Sequence, residues 1–195
     1  MLAAVILSGG ASQRMGSPKA LLPYQGRPFL EHLLEITKHE KIGVRRVVLG
    51  AHAEPIIAAV RLAPDDIVVN EDWEKGQLSS VQAAIRRLPL GTDGLILCLI
   101  DHPLISATLI DDLIERFYAT KMKIVLPVFR GQRGHPVIFS AELYDELLAA
   151  PLEKGARSVV WAHAGEIAEM PTTEQGCVLN LNDPDTLQRA TGGQD

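Results

Sequence analysis

Short apolar runs alternate along the chain with longer stretches in which apolar positions recur every three or four residues. Residues 2–7 form a continuous apolar run that suits a buried strand, stopped by Ser8-Gly9-Gly10. Residues 29–38 place Phe29, Leu30, Leu33, Leu34 and Ile36 on one wide face, which is helical spacing. The same reading predicts strands at 46–49, 67–69, 95–100, 124–127, 137–139 and 178–181. It predicts helices at 54–61, 79–88, 108–120, 141–149, 156–164 and 185–190. Strands alternating with helices imply right-handed βαβ units. The expected fold class is α/β, three-layer and Rossmann-like, with a mainly parallel sheet and helices on both faces. Ligands of such sheets collect at the carboxyl ends of the strands, near a switch in strand order.

The bulk properties narrow this picture. A chain of 195 residues fits one domain, read here as 1–190 with a frayed tail at 191–195. A net charge of −5, with 47% apolar and 22% charged residues, argues for a folded protein and against nucleic acid as partner. No apolar run approaches the roughly 18–20 residues of a membrane helix. The apolar start lacks a basic segment before it, so no signal peptide is expected. Of the two cysteines, Cys98 lies in an apolar run and Cys177 stands alone, with no zinc-like spacing. A reducing, cytoplasmic setting is expected.

Candidate chemistry begins after the first strand. Adjacent Gly9 and Gly10 allow close backbone approach and positive φ, and free N–H groups in such a loop form an anion nest. Arg14 offers a bidentate phosphate donor and Lys19 a mobile point charge. Neither the Walker A loop nor the dinucleotide fingerprint matches the glycine spacing. Asp101 ends the apolar run 95–100, where a carboxylate faces the ligand crevice, although Asp before Pro103 also reads as a helix cap. Asn182-Asp183-Pro184 is a turn signal before the last helix. Arg133 and His135 lie in a polar loop between two strands, equally readable as an exposed hairpin or as a basic binding loop. His135 is placed to titrate near neutral pH. Arg157 begins a helix, where a cation sits poorly against the helix dipole.

The segment Gly9-Gly10-Ala11-Ser12-Gln13-Arg14-Met15-Gly16-Ser17-Pro18-Lys19 resembles the signature of the MobA-like nucleotidyltransferases, which include the enzymes that attach CMP or GMP to molybdopterin. Asp101-His102-Pro103 is similar to the family's metal-binding Asp-x-Pro. The run Asn180-Leu181-Asn182-Asp183-Pro184 resembles its closing metal motif, with amides where carboxylates are usual. Asn70 to Val81, including Trp73, Gly76 and Ser80, resembles the island bordering the nucleotide pocket, with Gln77 in place of the usual Met. Gly131 to Pro136 and Leu152 to Arg157, the latter with Leu152 for the usual Gly and Glu153 for the usual Asp, resemble two islands of the cytidylyl branch, whereas Leu7-Ser8-Gly9-Gly10 is closer to the guanylyl branch.

The resemblance implies the nucleotide-diphospho-sugar transferase type of the fold. It implies transfer of CMP, or GMP, from a triphosphate to the phosphate of molybdopterin, with release of pyrophosphate. Lys19, Arg14 and Asp101 would be catalytic. Leu7, Ser8, Gly9, Gly10, Arg14, Gly16, Lys19, Asn70, Gly76 and Ser80 would bind the nucleotide. Arg133, His135 and Arg157 would hold the acceptor, and Asp101 with Asn182 would hold Mg²⁺. A phosphate acceptor is already mostly ionised at pH 7, so no general base is required. A molybdoenzyme is the implied protein partner. Two other readings remain open: transfer to a sugar phosphate or methylerythritol phosphate, and a non-catalytic nucleotide-binding partner of a molybdoenzyme.

Overall fold

The structure is a computed structural model, and it describes residues 1–12 and 15–191. Arg14 and the tail from 192 onward lie outside the described residues. Strand β1 (Leu2–Ser8) is followed by a small hairpin, β2 (Pro23–Tyr24) and β3 (Arg27–Pro28). Then come α1 (Phe29–Ile36), β4 (Ile42–Leu49), α2 (Ala53–Ala59), β5 (Ile67–Val69), α3 (Gln77–Ile85) and β6 (Gly94–Leu99). Helix α4 (Ala107–Thr120) leads into β7 (Ile124–Phe129), the two-residue β8 (Gln132–Arg133) and β9 (Val137–Ser140). The chain closes with α5 (Tyr144–Ala149), α6 (Arg157–Ala162), β10 (Ile167–Pro171) and α7 (Pro184–Thr191).

The main sheet runs β10-β7-β9-β6-β1-β4-β5, with β8 paired on β7. Strand β1 pairs parallel with both β4 and β6, β5 is parallel to β4, and β10 is parallel to β7. Strand β9 is antiparallel to both β6 and β7, so the sheet is mixed but mainly parallel. The order reverses at β1, since the chain moves out through β4 and β5 and returns to the other side at β6. That reversal is where such sheets open a crevice.

Period-two alternation divides the core. Leu2, Ala4 and Ile6 of β1 and Ile96 and Cys98 of β6 face one cluster, with Leu30 and Leu33 of α1, Ile56 of α2 and Leu109 and Leu113 of α4. Ala3, Val5 and Leu7, with Leu95, Leu97 and Leu99, face the other, against Leu78 and Val81 of α3, Leu147 of α5 and Val159 of α6. Both faces of the central strands are thus covered, which explains why they read as unbroken apolar runs. Cys98 sits in this core, and burial pushes its thiol up to about 12.

Besides the two-residue strands β2, β3 and β8, which the sequence reading does not predict, two longer segments depart from it. Strand β10 was not expected, because Ile167-Ala168-Glu169-Met170-Pro171 is short, carries Glu169 and ends in proline. Those features suit an edge strand, which is its place in the sheet. The strand expected at 178–181 is not formed. Its backbone serves a crossing loop instead: Val178 N donates to Gln175 O, and Leu181 N donates to Asp101 O at 2.8 Å. Leu181 is fully buried, so its apolar character reflects packing rather than strand pairing. Among the described residues no helix is long and apolar enough to cross a membrane.

Candidate active site

The carboxyl ends of β1 and β6 open into a cleft of about 360 Å³. Its wall contains Leu7 and Ser8 from the end of β1, Gly9 and Gly10 just after it, Lys19 further along the same connection, Gly76 and Ser80 around the start of α3, and Asp101 after β6. These eight residues, all expected from sequence, are therefore brought together. Ser12, Trp73, Glu74 and Gln77 also line the cleft, none of them in the expected set. Gln77 adjoins Gly76, Ser12 lies between Gly10 and Arg14, and Trp73 and Glu74 belong to the 70–81 island. Gly16 is exposed, turns the chain at φ +69° and does not line the cleft.

The glycines act differently from the expectation of positive φ at Gly9 and Gly10. Neither adopts it. A Cβ on Gly9 would lie 3.1 Å from Ser80 Oγ, so Gly9 makes room for that hydroxyl. Gly50, at the end of β4, matters more: its Cβ would fall 2.4 Å from Gly9 O and 2.7 Å from Trp73 Cβ. Gly76, expected to bind the nucleotide, lines the cleft, and a Cβ there would meet nothing of the protein within 4 Å. Its role is conformational, at φ 98° and ψ 175°, a turn that aims the first residues of α3 at the cleft.

Asn70 lies behind the wall rather than in it. It is buried, its Nδ2 donates to Ser79 Oγ at 2.9 Å and to Ser80 Oγ at 3.0 Å, and its Oδ1 accepts from Asp72 N. Ser79 Oγ donates in turn to Gly76 O at 2.7 Å. This network holds the α3 start in register with β5.

Asp101 is not a helix cap. Ser106 caps α4, its Oγ accepting from Leu109 N at 3.1 Å. That leaves the Asp101 carboxylate to the cleft. His102, buried beneath it, has Nδ1 2.9 Å from Asp101 Oδ1, while Asp101 Oδ2 lies 4.0 Å from Lys19 Nζ. Burial alone would raise the Asp101 pKa. The His102 hydrogen bond and the charges of His102 and Lys19 outweigh it, so the carboxyl titrates below its ordinary value and is ionised.

Lys19 Nζ donates to Asn182 Oδ1 at 2.5 Å, joining residues from opposite ends of the chain. Asn182 reaches the site through this contact, whereas Asn180 is exposed. The neighbouring Asp183 meets the turn reading, its carboxylate accepting from Thr186 N at 2.8 Å at the start of α7. An ionised carboxylate and an amide oxygen thus converge on one cationic nitrogen. Hard oxygen donors around a cation position are a set that suits a divalent metal holding phosphates and water as its remaining ligands.

A second cleft, of about 430 Å³, meets the first at Gln77. Arg133, His135 and Arg157, expected to hold an acceptor, all line it, together with Lys154 and Trp161. Its floor includes Leu97, Leu126, Val137 and Phe139. Arg133 is tied to Glu169, with Nε and Nη2 both 2.7 Å from Oε1. Arg157 Nε donates to Lys154 O at 3.1 Å, and its guanidinium lies 5.5 Å from the centre of the Trp161 ring. His135 does not titrate near neutral pH. Burial, then the nearby His102, lowers its pKa to about 4, so it is a neutral ring at pH 7, and its Nδ1 is buried without a hydrogen-bond partner among the described residues.

The chain matches the family described as MobA-like NTP transferase domain over residues 4–167, which includes both clefts but stops short of Asn182. It is 34% identical over 149 residues to nicotine blue oxidoreductase of Paenarthrobacter nicotinovorans, covering 71% of each chain. It is 28% identical over 198 residues to molybdenum cofactor guanylyltransferase of Rhizobium meliloti, covering 96% of this chain and 89% of that one. Among solved structures, Rv0371c from Mycobacterium tuberculosis superposes with a TM-score of 0.82 at 27% identity, covering 98% of both chains. The complex of Rv0371c with manganese superposes at 0.78 and 24%. With the glycine loop, the strand-end carboxylate and the sheet reversal in register with that match, the chain belongs to the MobA-like NTP transferase family, a family of nucleotidyltransferases.

Proposed function

We propose that this protein transfers CMP from CTP to the phosphate of a molybdopterin-type acceptor, releasing pyrophosphate. The observation that carries the reading is the pair of adjoining clefts: one with glycine backbone, Lys19 and Asp101, the other with cations over an apolar floor, meeting at Gln77. Such a layout has room for a triphosphate and a phosphorylated acceptor side by side, which supports the reading. The cytidylyl-like islands around His135 and Arg157 favour CTP. GTP is the second reading, favoured by Leu7-Ser8-Gly9-Gly10 in the wall of the first cleft and by the guanylyltransferase among the relatives. The oxidoreductase among the relatives suggests hydride chemistry, but the glycine spacing here differs from the dinucleotide fingerprint.

In this mechanism the acceptor phosphate attacks the α-phosphorus in line, and pyrophosphate departs. The attacking phosphate is mostly dianionic at neutral pH, so the protein needs no base. Lys19 holds the β- and γ-phosphates and offsets charge on the leaving group, and Arg14 is assigned to the same phosphates. Arg133 and Arg157 hold the acceptor. His135, neutral at pH 7, serves as a hydrogen-bonding wall rather than an acid. Asp101 and Asn182 would hold Mg²⁺, in keeping with the manganese complex of the Mycobacterium protein. Bound there, the metal supplies positive charge to the phosphates. A cytoplasmic enzyme handing its product to a molybdoenzyme completes the reading.

The test is transfer of label from α-phosphate-labelled CTP to molybdopterin. Label in a molybdopterin dinucleotide supports the proposal. Label moving only to glucose 1-phosphate or methylerythritol phosphate replaces the acceptor. Nucleotide binding without transfer to any of them replaces catalysis by a binding role.

A further inference from the structure

The contact between Lys19 and Asn182 has a consequence for how the metal enters. Lys19 Nζ is 2.5 Å from Asn182 Oδ1 and 4.0 Å from Asp101 Oδ2, the two oxygens assigned to the metal. The Lys19 and Asp101 side chains are only 14% and 21% exposed, so their charges are weakly screened. An ammonium and a divalent ion on the same two oxygens would repel each other at contact distance. The local charge points the same way. Asn182 brings a dipole and no charge, whereas Asp101 brings a full negative charge to Lys19. With His102 Nδ1 on Asp101 Oδ1, the oxygen facing the lysine is Oδ2. Lysine is a compact charge on a flexible stem, able to follow a stronger anion. A triphosphate in the same cleft is such an anion.

We propose that Lys19 holds the place of the metal, and that the two exchange when the nucleotide's phosphates draw the ammonium away from Asn182 and Asp101. Metal then enters with the nucleotide and not before it. The inference rests on the assignment of Asp101 and Asn182 to the metal, and it gives Lys19 a second task besides holding phosphate.

The test is titration of Mn²⁺, followed by electron paramagnetic resonance, into nucleotide-free protein. Wild type is compared with Lys19→Met, which keeps the aliphatic stem, Lys19→Arg, which keeps the charge, and Lys19→Met/Asp101→Asn. Thermal melts establish that each is folded. The expected result is Mn²⁺ binding on the order of ten-fold or more tighter in Lys19→Met than in wild type, because one like charge has left the site. Lys19→Arg stays with wild type, and the double variant loses the gain. Equal affinity in folded Lys19→Met and wild type would overturn the exchange. So would a gain that survives Asp101→Asn. Acceptor-dependent pyrophosphate release by wild type, measured alongside, separates failure of the exchange from failure of the transferase reading.

Discussion

Asn70 and Ser80 are joined by a hydrogen bond of 3.0 Å, Nδ2 to Oγ, that ties the loop after β5 to the helix start facing the cleft. Both residues are buried. Replacing Asn70 by Ala strips a partner from Ser79, Ser80 and the Asp72 N–H at once. The expected cost is about 1–3 kcal/mol, the penalty of leaving buried polar groups unsatisfied. Urea unfolding measures the loss, and a raised KM for the triphosphate in the folded fraction shows that the helix start has moved.

Two glycines of the cleft separate steric from conformational need. Gly50→Ala drives a Cβ to 2.4 Å from Gly9 O and 2.7 Å from Trp73 Cβ, so the loop must shift and nucleotide binding is expected to fail. Gly76→Ala meets no neighbour but must hold φ near 98°, a strain of about 1–3 kcal/mol. Denaturation midpoints should fall for both. Nucleotide affinity should collapse for Gly50→Ala and decline only modestly for Gly76→Ala.

His163 links three segments: its Nδ1 is 2.5 Å from Glu166 Oε2, its Nε2 is 2.8 Å from Glu146 Oε2, and Glu166 also pairs with Lys123 at 2.9 Å. The Glu166 hydrogen bond, then that of Glu146, raises the His163 pKa above its ordinary value. A raised folded-state pKa gives stability that is full below the unfolded value of about 6.5 and is lost as pH rises through the folded one. Wild type should therefore lose its advantage over His163→Gln as pH rises from about 6.5 through the higher folded-state value. Melting temperatures of the two proteins across that range check the sign.

The second cleft makes a kinetic prediction. The Arg133–Glu169 pair is about half exposed, so Arg133→Ala should change stability by no more than about 1 kcal/mol. If Arg133 and Arg157 hold the acceptor, replacing either by Ala should raise the acceptor KM by about ten-fold, the loss of one charge-assisted hydrogen bond. The triphosphate KM should stay near wild type.

Much of this was readable from residue order. The apolar runs of β1 and β6 predict central strands because both their faces are buried, and the residue following each run predicts where ligand collects. The glycine loop, Lys19 and Asp101 follow from the same logic. Local pattern did not reveal which apolar segments pair: 178–181 is buried by a loop bonded to Asp101 O, while β10 hides its pairing behind Glu169 and Pro171. Gly50 was silent, since its constraints are the Gly9 carbonyl and the Trp73 side chain, both distant in sequence. Contact of Lys19 with Asn182, across 163 positions, is likewise a product of the sheet reversal and not of any local signal.

The central claim is that this cleft performs nucleotidyl transfer, and pyrophosphate release tests it most directly. Purified protein is given Mg²⁺ and molybdopterin with CTP, GTP, ATP or UTP in turn, beside Lys19→Ala and Asp101→Ala. Acceptor-dependent release with CTP is expected. Turnover should fall by about 10²–10³ for each variant, the usual cost of losing an electrostatic donor of this kind. Release with none of the four triphosphates from nucleotide-binding protein, or near-normal turnover in folded Lys19→Ala and Asp101→Ala, would contradict that claim.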